Sequence, residues 1–366
     1  MDLHRLAASA VVIGFEGTEV PPEAWSLVRQ GAAGAILFKR NTSGGVSQVA
    51  RLTDDLKRQA GRPFLVCVDQ EGGRVARLRG EPFTALPPMR EVGARGDEAL
   101  AFAAGRVLAR DVRAVGIDVD FAPVLDVDTN PANPVIGDRS LSRQAGEVAR
   151  LGVALARGIE SEGVASCGKH FPGHGDTSQD SHLTLPCLHH PMERLRAVEL
   201  APFAAYASAG LASIMTAHVV FEAVEPGLPA TFSRRVLDGI LRNELGFRGV
   251  IVSDDLEMKA IAERYSLAEA GVRTVAAGAD LLLVCHRAQR QQEVIDGLAR
   301  EAGVSSAFRR RLEEAAERVA GLARRFASPP QGEAGLLALE TAEHRALAAG
   351  VAALGAHGRD PTEGAA

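Results

Sequence analysis

Lys169 to His182 read KHFPGHGDTSQDSH, which puts three histidines, two aspartates and a lysine into fourteen residues. Five of the chain's ten histidines fall between His170 and His190. Pro172, Gly173 and Gly175 make this stretch a loop, free to take backbone angles that a helix or strand forbids. Asp180 and His182 stand two residues apart. Across a turn, that spacing lets the carboxylate accept a hydrogen bond from one imidazole nitrogen and leaves the other to exchange a proton with a substrate. A carboxylate so placed fixes the tautomer and stabilises the cation, which suits a general acid/base working near neutral pH. His170, His174, Asp176 and His182 also compose a ligand set for zinc or iron. The segment lacks an HExxH helix or a similar spaced signature, so acid/base chemistry is the better reading and no metal is expected.

A second segment, Gly249 to Met258 (GVIVSDDLEM), is an apolar run that ends abruptly in two carboxylates. An aspartate at such a place serves as a nucleophile, a base, a metal ligand or a helix cap. Asp255 fits the cap of a following helix. Asp254, directly at the end of the run, is the one aimed at a site.

These groups need a scaffold, and the apolar runs supply its outline. Eight recur, approximately Ala10–Phe15, Gly34–Phe38, Phe64–Asp69, Ile117–Leu125, Ala165–His170, Ser213–His218, Gly249–Ser253 and Asp280–Cys285. Most are continuously apolar rather than alternating, as strands covered by helices on a parallel sheet should be. Segments between them carry helical spacing; the clearest is Phe308, Leu312, Ala315, Val319, Leu322 and Phe326. Eight strands alternating with helices predict an α/β protein, a single-domain (β/α)8 TIM barrel over 1–327, whose site lies at the C-terminal strand ends. Charged or titratable groups gather there on six successive runs: Asp69 with Glu71, Arg74 and Arg77; Asp126 and Asp128, with Asp138 and Arg139 further on; Lys169 and His170; His218; Asp254 and Asp255; and His286. After Ser328-Pro329-Pro330, an extension over 328–366 is expected to hold one helix, to about Leu354, and then a disordered tail.

Composition excludes several classes. A formal net charge of −5 over 366 residues leaves no basic footprint for nucleic acid and no polybasic patch for an anionic membrane. No apolar stretch approaches the ~20 residues that span a bilayer. No GxGxxG follows the first run and no GxxxxGK[ST] occurs, so a nucleotide cofactor lacks its usual mark. Cys67, Cys167, Cys187 and Cys285 form no CxxC pair and read as buried, reduced thiols. MDLHRLAASAVVIGFEG has a short apolar run with no cleavage site, which reads as a first strand and gives an expected cytoplasmic address.

Taken together, VVIGFEGTEV, GAILFKRN, VDQEGGRVARLRG, FAPVLDVDTNPANPVIGDRS, KHFPGHGDTSQDSHLTLP and VIVSDDLEMKAI resemble glycoside hydrolase family 3, in particular its single-domain bacterial β-N-acetylglucosaminidases. The resemblance runs in order from about residue 10 to 290. It implies Asp254 as nucleophile and His182, partnered by Asp180, as the acid/base. It also implies sugar binding by Asp69, Arg77, Arg139, Lys169 and His170. The implied reaction is retaining hydrolysis of terminal β-linked N-acetylglucosamine from peptidoglycan fragments, including those ending in 1,6-anhydro-N-acetylmuramic acid and its peptides. The expected partner is a small saccharide substrate alone, with no cofactor, and the enzyme is expected to be a monomer. Aromatics are only 4% of the chain, with Trp25 the one tryptophan, which favours a compact pocket for a chain end over a long stacking groove. Two rival readings are a phosphorylase, with phosphate in place of water, and a catalytically silent sugar-binding barrel. The second requires a missing nucleophile or acid/base, and neither is missing.

Overall fold

The computed structural model describes residues 2–178 and 185–354. Asp180, His182 and the tail 355–366 therefore lie outside the described residues. Eight parallel strands close into a barrel: β1 Val11–Ile13, β2 Gly34–Leu37, β3 Leu65–Val68, β4 Val119–Asp120, β5 Ala165–Phe171, β6 Ser213–Thr216, β7 Val250–Asp255 and β8 Leu281–Val284. Each pairs with its neighbours in chain order, and closure is made by β1, which pairs Val11 with Leu282 of β8 and Val12 with Gly34 of β2.

The runs read from sequence become these strands with one notable contraction. Ile117–Leu125 keeps only two paired residues in β4, because Pro123 has no N–H to donate to a ladder. Backbone bonding to β5 continues irregularly past it: Cys167 N–H donates to the Ala122 carbonyl at 2.8 Å, Lys169 N–H to that of Pro123 at 3.1 Å, and Leu125 N–H to that of Lys169 at 2.6 Å. That irregular stretch, with Val124 bridged to Lys169, leads to buried Asp126.

Val12, Ile36, Cys67, Val119, Cys167, Met215, Val252 and Leu283 belong to one apolar cluster that also takes in Val319, Leu322, Ala323 and Phe326 of the helix Ser306–Phe326. This helix closes the N-terminal end of the barrel. All six residues of its apolar stripe are buried. The opposite, C-terminal end is left for polar groups. Cys67, Cys167 and Cys285 are buried thiols as expected, but Cys187 is exposed, because it stands on the short strand Cys187–Leu188 outside the barrel.

Beyond the barrel, the 3-10 turns Gly332–Glu340 and the helix Ala342–Ala352 lie against the helix Glu98–Ala114. Buried His344 meets buried Asp111 there at 3.2 Å. Among the described residues no helix is long and apolar enough to cross a membrane.

Candidate active site

The polar groups are set by the turns that leave each strand. After β3 the chain passes Asp69 and doubles back through a hairpin, with Gln70–Gly72 antiparallel to Val75–Ala76. The Gln70 side chain locks the hairpin: its Oε1 accepts from the N–H groups of Arg77 (2.8 Å) and Leu78 (3.0 Å), and its Nε2 donates to the Leu78 carbonyl (3.0 Å). Gly72 has φ 90° and packs so closely that a Cβ would lie 2.9 Å from the Pro87 carbonyl oxygen. Asp69 and Glu71, two apart on extended chain, thus face the same side.

There they meet residues from other strands. Lys169, near the end of β5, places Nζ 2.7 Å from Asp69 Oδ1 and 2.5 Å from Glu71 Oε1. Arg139 grips Glu71 with both ends of its guanidinium, at 2.8 Å each, the two-pronged geometry that makes such pairs strong. Arg77 lies 3.7 Å from Asp69. Burial alone would raise the Glu71 carboxyl, but Arg139 and Lys169 outweigh it and hold Glu71 well below the usual carboxylate range. Burial likewise opposes the charges of Lys169 and Arg139, and their carboxylate partners overcome it and raise both. Glu71, Lys169 and Arg139 are therefore ionised at neutral pH.

Asp126 is a second hub. Fully buried, it accepts from His170 Nδ1 at 2.7 Å, from the His170 N–H at 3.2 Å and from the His174 N–H at 2.6 Å. Burial pushes its carboxyl up, and the neighbouring His170 and His174 bring it below its ordinary value. An Nδ1–H held by a carboxylate presents His170 Nε2 outward. His174 is buried beside it, with Nδ1 2.8 Å from Thr177 Oγ1. Burial pushes its imidazole down to about 4, against the raising charge of Asp126, so it is neutral near pH 7. The loop can run this close to the barrel because a Cβ on Gly175 would fall 1.9 Å from the Val127 carbonyl oxygen, a space only glycine leaves open.

Asp254 and Asp255 end β7. Asp254 is partly exposed, and its Oδ1 accepts the Asp255 N–H at 2.8 Å. Asp255 is not the helix cap expected of it. Its Oδ1 accepts from the N–H groups of Glu257 (3.1 Å) and Cys285 (3.2 Å), and its Oδ2 faces His286 Nε2 at 3.1 Å, while Met258 stands at the cap of the next helix, Lys259–Ala262. The helix begins three residues later than the sequence suggested, which leaves Asp255 to tie β7 to β8. His218 is wholly buried, with Nδ1 2.8 Å from Thr231 Oγ1 and Nε2 3.0 Å from the Asp255 carbonyl oxygen. His286 stacks on Phe38, ring centroids 5.8 Å apart.

Asp69, Arg77, Arg139, Lys169 and His170 thus come together at one barrel end, with Asp254 on the same rim. Asp180 and His182 lie outside the described residues. Glu71 and Asp126 are the members that sequence reasoning did not single out as site residues. The signal for Glu71 was its two-residue spacing from Asp69. Asp126 was marked only by its place at a strand end, since its role depends on backbone N–H groups of β5 and the loop after it. Of the four residues in the metal alternative, His182 lies outside the described residues. Asp176 is turned away to Thr129 Oγ1 (2.8 Å) and His190.

The sequence pattern described as the glycosyl hydrolase family 3 N terminal domain matches residues 13–322. A protein named Beta-hexosaminidase from Bordetella parapertussis is 38% identical over 331 residues, 88% of this chain and 90% of its own. A namesake from Neisseria meningitidis serogroup C is 42% identical over 292 residues, 78% of this chain and 79% of its own. Among solved structures, NagZ from Neisseria gonorrhoeae in complex with N-trifluoroacetyl-D-glucosamine superposes with a TM-score of 0.80 at 35% identity, over 94% of this chain and 97% of that one. A family 3 β-N-acetylglucosaminidase from Paenibacillus gives a TM-score of 0.88 at 39% identity, over 97% of this chain and 69% of its own.

Proposed function

This chain belongs to glycosyl hydrolase family 3 and is by that relationship a β-N-acetylhexosaminidase; we propose that it removes single, terminal β-linked N-acetylglucosamine units with retention, from peptidoglycan fragments in the cytoplasm. The observation that carries this reading is the shared rim. Asp254 ends β7 at the same barrel end as the Asp69–Lys169–Glu71–Arg139 cluster and the Asp126–His170 pair.

In the proposed reaction an Asp254 carboxylate oxygen attacks the anomeric carbon as the bond to the leaving oxygen breaks. His182, paired with Asp180, gives that oxygen its proton. The glycosyl ester on Asp254 is then opened by water, whose proton returns to His182. Asp69 accepts from sugar hydroxyls, and Lys169, Arg77, Arg139 and His170 donate to hydroxyl or acetamido oxygens. Glu71 keeps Lys169 and Arg139 in place, and Asp126 fixes the His170 tautomer. The enzyme works as a monomer with no cofactor. Exo-action is supported by the scarcity of aromatics for a long groove.

The test is the release rate from an aryl β-N-acetylglucosaminide beside the matching β-glucoside, for the wild type and Asp254→Ala, with and without phosphate. Rapid release from the acetamido substrate alone, lost in the variant and giving free sugar in both buffers, is expected. A glycosyl phosphate product would instead make the enzyme a phosphorylase. Saccharide binding without turnover would remove the catalytic reading altogether.

A further inference from the structure

At the N-terminal pole, opposite the proposed active site, a cleft of about 410 Å³ opens between the helix Leu3–Ala8, the segments entering β2 and β3, and the barrel-closing helix Ser306–Phe326. That volume falls in the range of small-molecule sites. Its floor is apolar, with Ala33, Val319 and Ala323 nearly inaccessible. The charged residues that line it are all cationic, Arg5, Arg62 and Arg324.

The three arginines are not equivalent. Arg324 is paired with Glu317 at 2.7 Å. The Arg62 guanidinium donates only to neutral carbonyl oxygens, those of Ala32 (2.5 Å), Val28 (3.3 Å) and Pro63 (3.4 Å), and rests over the Phe64 ring at 5.6 Å. Backbone carbonyls hold it in place, and among the described residues no carboxylate pairs with it. Burial and then the nearby Arg5 both lower its proton affinity, the effect of two like charges sharing a partly dry site without a counter-ion. Arg5 itself has no carboxylate partner among the described residues. Surface arginines usually acquire acidic neighbours, as many others here do, such as Arg309 with Glu313 and Arg273 with Glu269. The cleft has an apolar bed and an unneutralised cationic edge.

We propose that this cleft binds a small amphiphilic carboxylate, its head group on Arg5 and Arg62 and its hydrocarbon chain on Ala33, Val319 and Ala323. A guanidinium preorganised by backbone carbonyls loses little freedom on meeting a carboxylate, and the alanines leave room along the floor for an unbranched chain. A fully hydrated inorganic anion would leave the floor unused, and a neutral alcohol would leave the arginines uncompensated.

The probe is octanoate, titrated into the full-length protein and followed by calorimetry, beside hexanoate, octanol and inorganic phosphate. Saturable one-to-one binding of octanoate is expected, weaker for hexanoate by about fourfold per methylene removed, and at least tenfold weaker for octanol and phosphate. Arg62→Gln and Arg5→Gln should each weaken octanoate severalfold, and Ala323→Phe, which fills the floor, should abolish it. Aryl glycoside hydrolysis unchanged in all three variants would show that they are folded. No saturable binding, equal affinity for octanoate and phosphate, or binding indifferent to Arg62→Gln and Arg5→Gln would overturn the proposal.

Discussion

Glu71 is the residue whose removal should be felt most in the polar cluster, and the size of the effect follows from its surroundings. Glu71 is 2% exposed, and its carboxylate is shared by Arg139 at 2.8 Å and Lys169 at 2.5 Å, whose side chains are 4% and 2% exposed. Glu71→Gln keeps the shape and removes the charge, leaving two buried cations with Asp69 and Asp126 as the carboxylates still near them. Breaking a buried pair by neutralising one partner costs about 3–5 kcal/mol. At roughly 2.1 cal/mol/K per residue, unfolding this 366-residue chain has an entropy near 0.8 kcal/mol/K, so a loss of about 4 kcal/mol lowers the melting temperature by about 5 °C. The pH dependence has a definite sign. The folded carboxyl is held below its unfolded value, so its stabilisation is present above about pH 4.3 and fades as pH falls below that. Calorimetric melts of both proteins from pH 8 to 4 provide the assay. A gap of about 5 °C, constant down to pH 5 and narrowing below about pH 4.3, is expected, with a raised KM for the glycoside because Lys169 and Arg139 lose their anchor. A variant that melts within 1 °C of the wild type, or a gap that widens on acidification, would refute this view of the cluster.

Other outcomes are equally specific. His174, held neutral by burial with its pKa near 4, stabilises the fold above about pH 6.5 and loses that contribution as pH falls through its folded value. The shift corresponds to about 3 kcal/mol at most, so His174→Gln should flatten the fall in melting temperature between pH 6.5 and 4, and an unchanged slope would contradict it. Asp126→Asn removes the charge that accepts from His170 Nδ1 and the His174 N–H. Losing charge-assisted bonds worth about 1.5–3 kcal/mol should cut kcat/KM by about 10–100-fold, and full activity would show that the His170 tautomer is fixed by something else. Phe326→Ala empties part of the plug beneath the barrel and should cost about 3–5 kcal/mol in urea denaturation while leaving the KM of the remaining folded enzyme unchanged.

The barrel was legible because its strands are continuously apolar and its closing helix has a clean stripe from Phe308 to Phe326. Which strand end carries which side chain was legible too, for Asp69, Lys169, His170 and Asp254 follow directly from where each run stops. The partnerships were not. Glu71 reaches Arg139 across 68 residues of chain, and Asp126 is organised by N–H groups on another strand's loop, so neither partnership leaves a local pattern. The same limit explains Asp255. A carboxylate before a helix reads as a cap, yet here β8 supplies partners, through Cys285 and His286, that chain-local reasoning does not see. The acid/base pair Asp180–His182 rests on spacing and family resemblance alone.

The most direct measurement is intact-mass and peptide mass spectrometry of the enzyme quenched during reaction with an activated 5-fluoro donor of N-acetylglucosamine, which forms a glycosyl-enzyme faster than water clears it. One glycosyl unit per chain, on the peptide containing Asp254 and absent in Asp254→Ala, is the expected result. An adduct on any other residue, or turnover of the donor with no adduct at all, would contradict Asp254 as the nucleophile.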